Sequence, residues 1–540
     1  MVEAIQQETA KSGLDRTAVT DRTISIVIEL ADELHPNRSG KSVAGPDSDL
    51  ERDLGFDSLG RAELILRLDR AFKVRLPDRL IADARTPSDL TEAIMAAEPS
   101  ARELEHAPAQ APPDLATIAP ATAATSLIEV LCHHVEAHDT RPHLGLWDGN
   151  QITQRLSYGQ LHNDALSVAY GLRQEGLEIG DKVAIMLPTG LDFFRTFFGV
   201  LYAGGIPVPI YPPFRRAQVE EHIHRQAGIL SNAQVGILVT EAEILRVGNL
   251  LKSLVVTLRR VVTADHLHKG AGQLKHPYPA AAGTTALIQY TSGSTGDPKG
   301  VVLTHANLLA NVRAMGAALE ASSKDVFVSW LPLYHDMGLI GAWLGSLYFG
   351  ARVVIMSPLT FLADPMRWLR AISQQHGTLS AAPNFAFDLC MKNFSAEAAE
   401  GLDLSTLRAV VNGAEPVSPR TIHQFIERFA PYGFRPEAME PVYGLAESSV
   451  GLAFPPMGRR PIIDRVDRSK LADSGIAAPA RPDDPTAIEF VACGRPLANH
   501  QCRVVDDIGL ELPERHQGRL QFKGPSATTG YFRNQEKTRD

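Results

Sequence analysis

Six consecutive residues, Thr291 to Gly296, are all Thr, Ser or Gly, and two apolar runs flank them, Leu287–Tyr290 before and Val301–Leu303 after. This pattern predicts two strands joined by a loop whose backbone N–H groups and hydroxyls nothing large covers. Lys299 adds a point charge just behind it, so the loop is suited to holding phosphate. A Walker loop, GxxxxGK[ST], is excluded because Lys299 lies between Pro298 and Gly300. A flexible surface linker is the plain alternative, but it leaves the flanking strands and the Pro-Lys-Gly ending unexplained.

The stretch TSGSTGDPKG resembles the signature loop of the adenylate-forming superfamily: acyl-CoA synthetases, peptide-synthetase adenylation domains, luciferases and fatty acyl-AMP ligases. That resemblance implies that Thr291, Ser292, Gly293, Ser294, Thr295, Gly296 and Lys299 hold the phosphates of ATP. Other motifs follow in the expected order. PVYGLAESS, Pro441–Ser449, resembles the YGxTE motif, which implies Tyr443 and Gly444 against the adenine and Glu447 as a Mg2+ ligand. Ala446 stands where the family has Thr, so one hydroxyl contact to the α-phosphate is missing or replaced. VVNGAEPVSP, Val410–Pro419, resembles the adenine-wall motif and brings in Gly413, Ala414 and Glu415. WLPLYHDMGLIG, Trp330–Gly341, matches the region that gates the acid channel, a role that falls to His335; a buried structural histidine is the alternative. Lys299, His335 and Glu447 are thus the catalytic candidates.

At 540 residues the chain is expected to hold two to four domains. Residues 20–97 read as a small helical bundle, with Ile24, Val27, Ile28, Ala31 and Leu34 on one stripe and Leu64, Leu68 and Phe72 on another. Between the stripes, Gly55–Leu59 turns the chain into the second helix, with Asp57 as cap and Ser58 exposed in the first turn. The whole segment resembles an acyl carrier domain, which implies that Ser58 carries 4′-phosphopantetheine; a second capping hydroxyl is the alternative. Arg61, Arg67 and Arg70 in that helix leave its docking partners open.

Residues 98–125, rich in Ala and Pro, read as a linker with a root-mean-square span of about 30 Å. Residues 126–540 alternate helix and strand, which predicts mixed, largely parallel sheets. The expected class is therefore α/β multidomain: the helical carrier, then a large adenylate-forming domain with flanking helices and a small β-barrel-like subdomain. His133, His134 and His138 surround Glu136, but the order H-V-E-A-H fails HExxH, so they and His222 and His224 read as polar helix faces.

Within the superfamily, Tyr334-His335-Asp336-Met337 lacks the Phe-Asp pair of amino-acid adenylation domains. LPLYHDMGLIG, AAPNFAFDLC and YGLAESS together resemble fatty acyl-AMP ligases. The segment Arg459–Pro485 fits their insertion, which disfavours transfer to free CoA; an inconsequential surface loop is the alternative. The implied reaction is ATP-dependent, Mg2+-assisted activation of a fatty acid, with transfer to phosphopantetheine on its own or another carrier domain. Two alternatives stand: a fatty acyl-CoA ligase, and a non-catalytic carrier and docking module. A phosphopantetheinyl transferase is the further expected partner. After Gly518–Asp540, which resembles the end of the large domain, the usual small C-terminal domain is not seen, so weak adenylation is expected of this stretch alone.

A net charge of −9 without basic runs argues against nucleic acid. The polar amino terminus is no signal peptide, and Leu191–Ile210, broken by Asp192, Arg195, Pro207 and Pro209, is no membrane span. Four scattered cysteines suit a reducing cytoplasm.

Overall fold

The computed structural model describes residues 16–34, 44–56, 58–72, 74, 76–77, 80, 84–97, 116–213, 219–269, 272–291 and 298–539. Two compact units are present, one built on the N-terminal helices and the other on the chain from Pro108 onward.

Among the described residues of its N-terminal part, the first unit has helices α1 (Arg16–Leu34), α2 (Ser58–Phe72) and α3 (Pro87–Ala96). Thr86 caps α3 reciprocally with Asp89, and Pro87 occupies its first turn. Val27, Leu30, Leu54, Phe56, Leu64, Leu68 and Leu90 fill the core. The buried stripe of α1 is Val19, Thr23, Ile26, Val27, Leu30 and Ala31, so Ile24 and Ile28 lie at its margin. The expected face is rotated because buried Thr23 belongs to it. Arg61 is not a surface charge: it is buried, with a guanidinium nitrogen 4.0 Å from Glu51. Ser58 opens α2, but its side chain, like Asp57, lies outside the described residues.

In the second unit the strands in chain order are β1 (Pro142–Trp147), β2 (Ile152–Ser157), β3 (Lys182–Ile185), β4 (Ile206–Pro209), β5 (Val235–Thr240), β6 (Arg260–Thr263), β7 (Thr285–Thr291), β8 (Lys299–Thr304), β9 (Val326–Ser329), β10 (Arg352–Ile355), β11 (Leu379–Ala382), β12 (Ala409–Asn412) and β13 (Met439–Pro441). A seven-stranded sheet runs β13-β12-β11-β9-β10-β1-β2, parallel except for the β1–β2 pair. A four-stranded parallel sheet runs β4-β3-β5-β6, as the alternation of helix and strand implies. Further along, the strands are short antiparallel pieces, including Tyr443–Gly444 with Gly451–Phe454 and Arg495–Pro496.

The helix Leu191–Tyr202 is buried on nearly all sides, which explains its high apolar content, and its charges Asp192 and Arg195 pair with each other at the margin. Its Phe194, Phe197 and Phe198 rings meet Trp343 edge-on at 4.5, 5.3 and 5.6 Å. Among the described residues no helix is long and apolar enough to cross a membrane.

Two expectations change here. The C-terminal part of the predicted linker is not free: Ile118, Ala121 and Ala124 are buried, Ile118 N–H donates to Ser323 Oγ, and Arg313 donates to the Thr122 and Ala124 carbonyls. Apolar residues among the alanines and prolines hold this arm against the sheet-bearing unit. His134 and His222 are not on polar faces either. Both are buried, and the His134 ring stacks on Tyr158, whose other face stacks on His143.

Candidate active site

Strands β7 and β8 form an antiparallel hairpin in which Thr291 faces Lys299 at the end next to the connecting loop. Of the residues between, Ser292, Gly293, Ser294, Thr295, Gly296 and Asp297 lie outside the described residues. The segment 525–532 is laid along the hairpin: Val302 N–H donates to the Gly530 carbonyl and Phe532 N–H to that of Gly300. Asn307 and Asn311 of the helix His305–Ala318 hold this segment through the Pro525 and Ala527 carbonyls and Ser526 Oγ.

Tyr531 therefore arrives beside Lys299, whose ammonium lies 5.8 Å from the ring centroid. Its hydroxyl donates to Glu447 Oε1 at 2.6 Å, a charge-assisted bond by its length. Burial, together with the Glu447 hydrogen bond and charge, pushes the Tyr531 hydroxyl above its ordinary pKa, so it stays a donor. Glu447 stands in a short 3-10 turn, Ala446–Ser448, and its carbonyl accepts Thr528 N–H. Sequence reasoning missed Tyr531. It matched the surrounding motif, but nothing local marks a contact spanning 84 residues.

His335 and Asp336 stand before an eight-residue π-helix, Met337–Leu344, a rare geometry found mostly at functional sites. His335 Nδ1 is 2.9 Å from Asp336 Oδ1, which also accepts Met337 N–H. Desolvation lowers the imidazole pKa, but the Asp336 hydrogen bond and charge outweigh it and hold the ring above its usual value. Its side chain is 52% exposed, so the alternative of a buried structural histidine does not hold.

A cavity of about 230 Å³ lies beside His335 and the π-helix, and Thr291, Lys299, Glu447 and Tyr531 are not among its lining residues. Gly413, Ala414, Tyr443 and Gly444 line it together with His335 and Asp336, and Leu319, Phe327, Phe349, Ala351 and Leu379 form apolar wall. Leu379 and Ala381 on β11, and Val411 and Gly413 on and after β12, alternate by two and so share the sheet face that floors it. The helix His305–Ala318 contributes Val312, Met315 and Gly316 on another side. Gly341 leaves a gap in the wall, since a Cβ there would meet nothing within 4 Å. Gly444 is required by close approach: its Cβ would fall 1.9 Å from the Val450 carbonyl oxygen.

The nucleotide candidates thus separate. Gly413, Ala414, Tyr443 and Gly444 meet at the cavity, and Tyr443 is exposed. Ala446 is buried. Glu415 faces a different task, accepting Phe385 N–H at the start of the helix Asn384–Lys392. Among the described residues no cluster of three or more His, Cys, Asp or Glu gathers as a metal site. A single carboxylate with one oxygen committed to Tyr531 still fits Mg2+, which is usually held by one or two carboxylates and substrate phosphates.

This fold and this cavity belong to a chain of the AMP-binding enzyme family, whose model matches residues 133–532. A second model, the phosphopantetheine attachment site, matches residues 29–94. Among curated relatives, the long-chain-fatty-acid–AMP ligase FadD32 of Mycolicibacterium smegmatis is 35% identical over 396 residues, 72% of this chain and 62% of that protein. The medium-chain-fatty-acid–[acyl-carrier-protein] ligase JamA of Moorena producens is 31% identical over 73% of this chain and 67% of that one. The chain thus spans somewhat less than two thirds of the mycobacterial relative. A solved fatty acyl-adenylate ligase from L. pneumophila, in complex with acyl adenylate and pyrophosphate, superposes with a TM-score of 0.72 at 30% identity, covering 78% of this chain and 73% of that one.

Proposed function

We propose that the chain activates a fatty acid as its acyl adenylate and delivers the acyl group to a phosphopantetheine thiol. The observation that carries this reading is the single cavity that has the Gly413–Tyr443 wall and His335 among its lining and Phe327, Phe349 and Leu319 as apolar wall. Such a space suits a nucleotide joined to a hydrocarbon chain. In the reaction a carboxylate oxygen bonds to the α-phosphorus, the α–β bridging P–O bond breaks, and pyrophosphate leaves with the electron pair. Lys299 supplies positive charge to the phosphates, and Thr291 with Ser292–Gly296 supplies hydroxyl and backbone donors. Tyr443, Gly413 and Ala414 contact the adenosine end, and His335, oriented by Asp336, serves the carboxylate. Tyr531 fixes the Glu447 carboxylate as an oxygen donor. Mg2+, when held by Glu447, neutralises phosphate charge.

Residues 20–97 serve in this reading as the carrier, with Ser58 as the attachment point set by a phosphopantetheinyl transferase, and 126–540 as the adenylating domain. The prosthetic thiol, once attached, displaces AMP from the anhydride. The folded Arg459–Pro485 segment, whose strand Ile463–Val466 pairs with Ile488–Val491 just beyond it and whose Arg465 donates to the Pro482 and Asp484 carbonyls, favours an acyl-AMP ligase over an acyl-CoA ligase. Four cysteines, none of them in a disulfide, suit a cytoplasmic setting.

Fatty-acid-dependent exchange of pyrophosphate into ATP tests the proposal. Exchange should appear with saturated acids and fall at least about tenfold in Lys299→Ala and Glu447→Ala, each removing a charge-assisted contact. Nucleotide binding without any dependence on fatty acid, in wild type and variants alike, would overturn it in favour of a docking module.

A further inference from the structure

Gln289 follows Ala286, Leu287 and Ile288 in β7 and is buried with them, 2% exposed. Burying an amide costs free energy that an aliphatic side chain would not, and a hydrogen bond has to offset it. Its Nε2 donates to the Tyr334 carbonyl at 2.8 Å, across 45 residues of sequence. Among the described residues its Oε1 has no partner, and the acceptor opposite Nε2 fixes which end of the amide points to Tyr334. The Tyr334 carbonyl belongs to the peptide that enters His335. Beyond it the backbone turns at once into the π-helix, with the His335 carbonyl accepting from Gly338 and Leu339 N–H. Successive residues of a strand alternate between faces, so Gln289 shares its face with Thr291 and, through the register of the hairpin, with Val301 and Lys299. On the other face Tyr290 donates to Asn232 Oδ1 and packs with Ile288 against the core of the four-stranded sheet. The strand is thus anchored from behind, and Gln289 reaches from the face that carries the phosphate candidates to the loop that carries His335.

We propose that Gln289 is a positioning residue for adenylate formation: by holding the Tyr334–His335 peptide it sets the imidazole relative to Thr291 and Lys299, and so aligns the carboxylate with the α-phosphorus. This deepens the fatty acyl-adenylate reading and rests on it. Gln289 is buried, and it acts through His335 instead of touching substrate. Alignment of two reactants counts most in the transition state, so the effect falls on turnover of the acid and not on affinity for the nucleotide.

The test uses the full chain, with fatty-acid-dependent pyrophosphate exchange measured while ATP and the acid are varied separately. Gln289→Met and Gln289→Leu remove the donor and strand a buried carbonyl, so kcat/KM for the acid should fall about tenfold, with the KM for ATP kept within about twofold. Gln289→Asn, an amide one methylene short of Tyr334, carries the same expectation and keeps the test open where the apolar variants do not fold. Gln289→His, whose Nε2–H lies at about the reach of the lost amide, should restore part of the rate. In a His335→Ala background Gln289→Met should cost less than about twofold further, because a residue acting through the histidine then has nothing left to position. Losses that multiply in the double variant, or a raised KM for ATP, make Gln289 a structural or phosphate-side residue and overturn the inference. Wild-type exchange in the Gln289 variants overturns it alone. Wild-type exchange in His335→Ala removes the role of the histidine and this inference with it, while acyl-adenylate formation stands. Absence of fatty-acid-dependent exchange in the wild-type chain overturns the fatty acyl reading and this inference together.

Discussion

Tyr531 holds Glu447 from one side and borders Lys299 on the other, so the β7–β8 hairpin and the Glu447 carboxylate are tied together through one phenol. Tyr531→Phe keeps the ring and removes only the hydroxyl. Losing a hydrogen bond to a charged group is worth about 1.5–3 kcal/mol, so pyrophosphate exchange should fall by about ten- to a hundredfold. The melting temperature should change little, because the ring packing stays. A fall in melting temperature with exchange intact would make Tyr531 a structural residue. The turn that carries Glu447 was legible from PVYGLAESS, because a local pattern sets the short strand and the turn after it. The rest of its setting was not, since Tyr531, Thr528 and Asn307 converge from distant parts of the chain, and no spacing rule connects them.

At the scale of elements, what the sequence announced were those carrying their own punctuation. The hairpin β7–β8 has alternation and small residues at its turn, and the helix Tyr158–Gln174 opens on a Ser157–Gln160 capping box and ends before Gly176 at φ +86°. The π-helix was illegible: MGLIGAWL is apolar throughout, so neither a 3.6-residue stripe nor an alternation can show in it. Its form follows from tertiary packing, with Trp343 clamped by three phenylalanine rings while Gly341 borders the cavity. Gly341→Leu should therefore enter open space and leave the fold intact while occupying part of the 230 Å³. The expected result is a shift of preferred substrate to shorter acids, with exchange on the longest chains down about tenfold or more and that on short ones nearly kept, read from kcat/KM across chain length. An equal loss at every length would instead mean that the π-helix itself had been disturbed. Asn307 is a second element-level hinge point, closing the capping box with Thr304 and holding two carbonyls of segment 525–532. Asn307→Ala should lower stability by about 2–3 kcal/mol, a cap plus stranded carbonyls, measured by urea denaturation.

Across the whole molecule, buried titratable groups pull stability in opposite directions on either side of neutrality. His134, His143, His222 and His305 are all buried, and desolvation lowers them to about 4, 3, 4 and 4. Each is neutral when folded but takes a proton near pH 6.5 when unfolded. The unfolded chain therefore binds more protons between those values, and stability falls as the pH drops below 6.5, with a limiting slope of about 1.4 kcal/mol per unit for each group. Glu440 has the opposite sign: raised from 4.5 to about 8 by burial, it binds its proton more tightly in the folded state, so its contribution is lost as pH climbs through that window. Below 6.5 four histidines outweigh one carboxyl; between 6.5 and 8 no histidine opposes it, and His335, raised by Asp336, adds to the decline. Melting temperature should thus peak near pH 6.5 and fall on both sides. The limbs are separable by substitution. Glu440→Gln should flatten the decline from pH 6.5 to 8 and steepen the acid limb, where the carboxyl no longer opposes the histidines, and His143→Gln should soften the acid limb alone. A profile flat from pH 4.5 to 8, or one whose alkaline fall persists unchanged in Glu440→Gln, would contradict the assignment of Glu440 as a neutral acid in the folded chain.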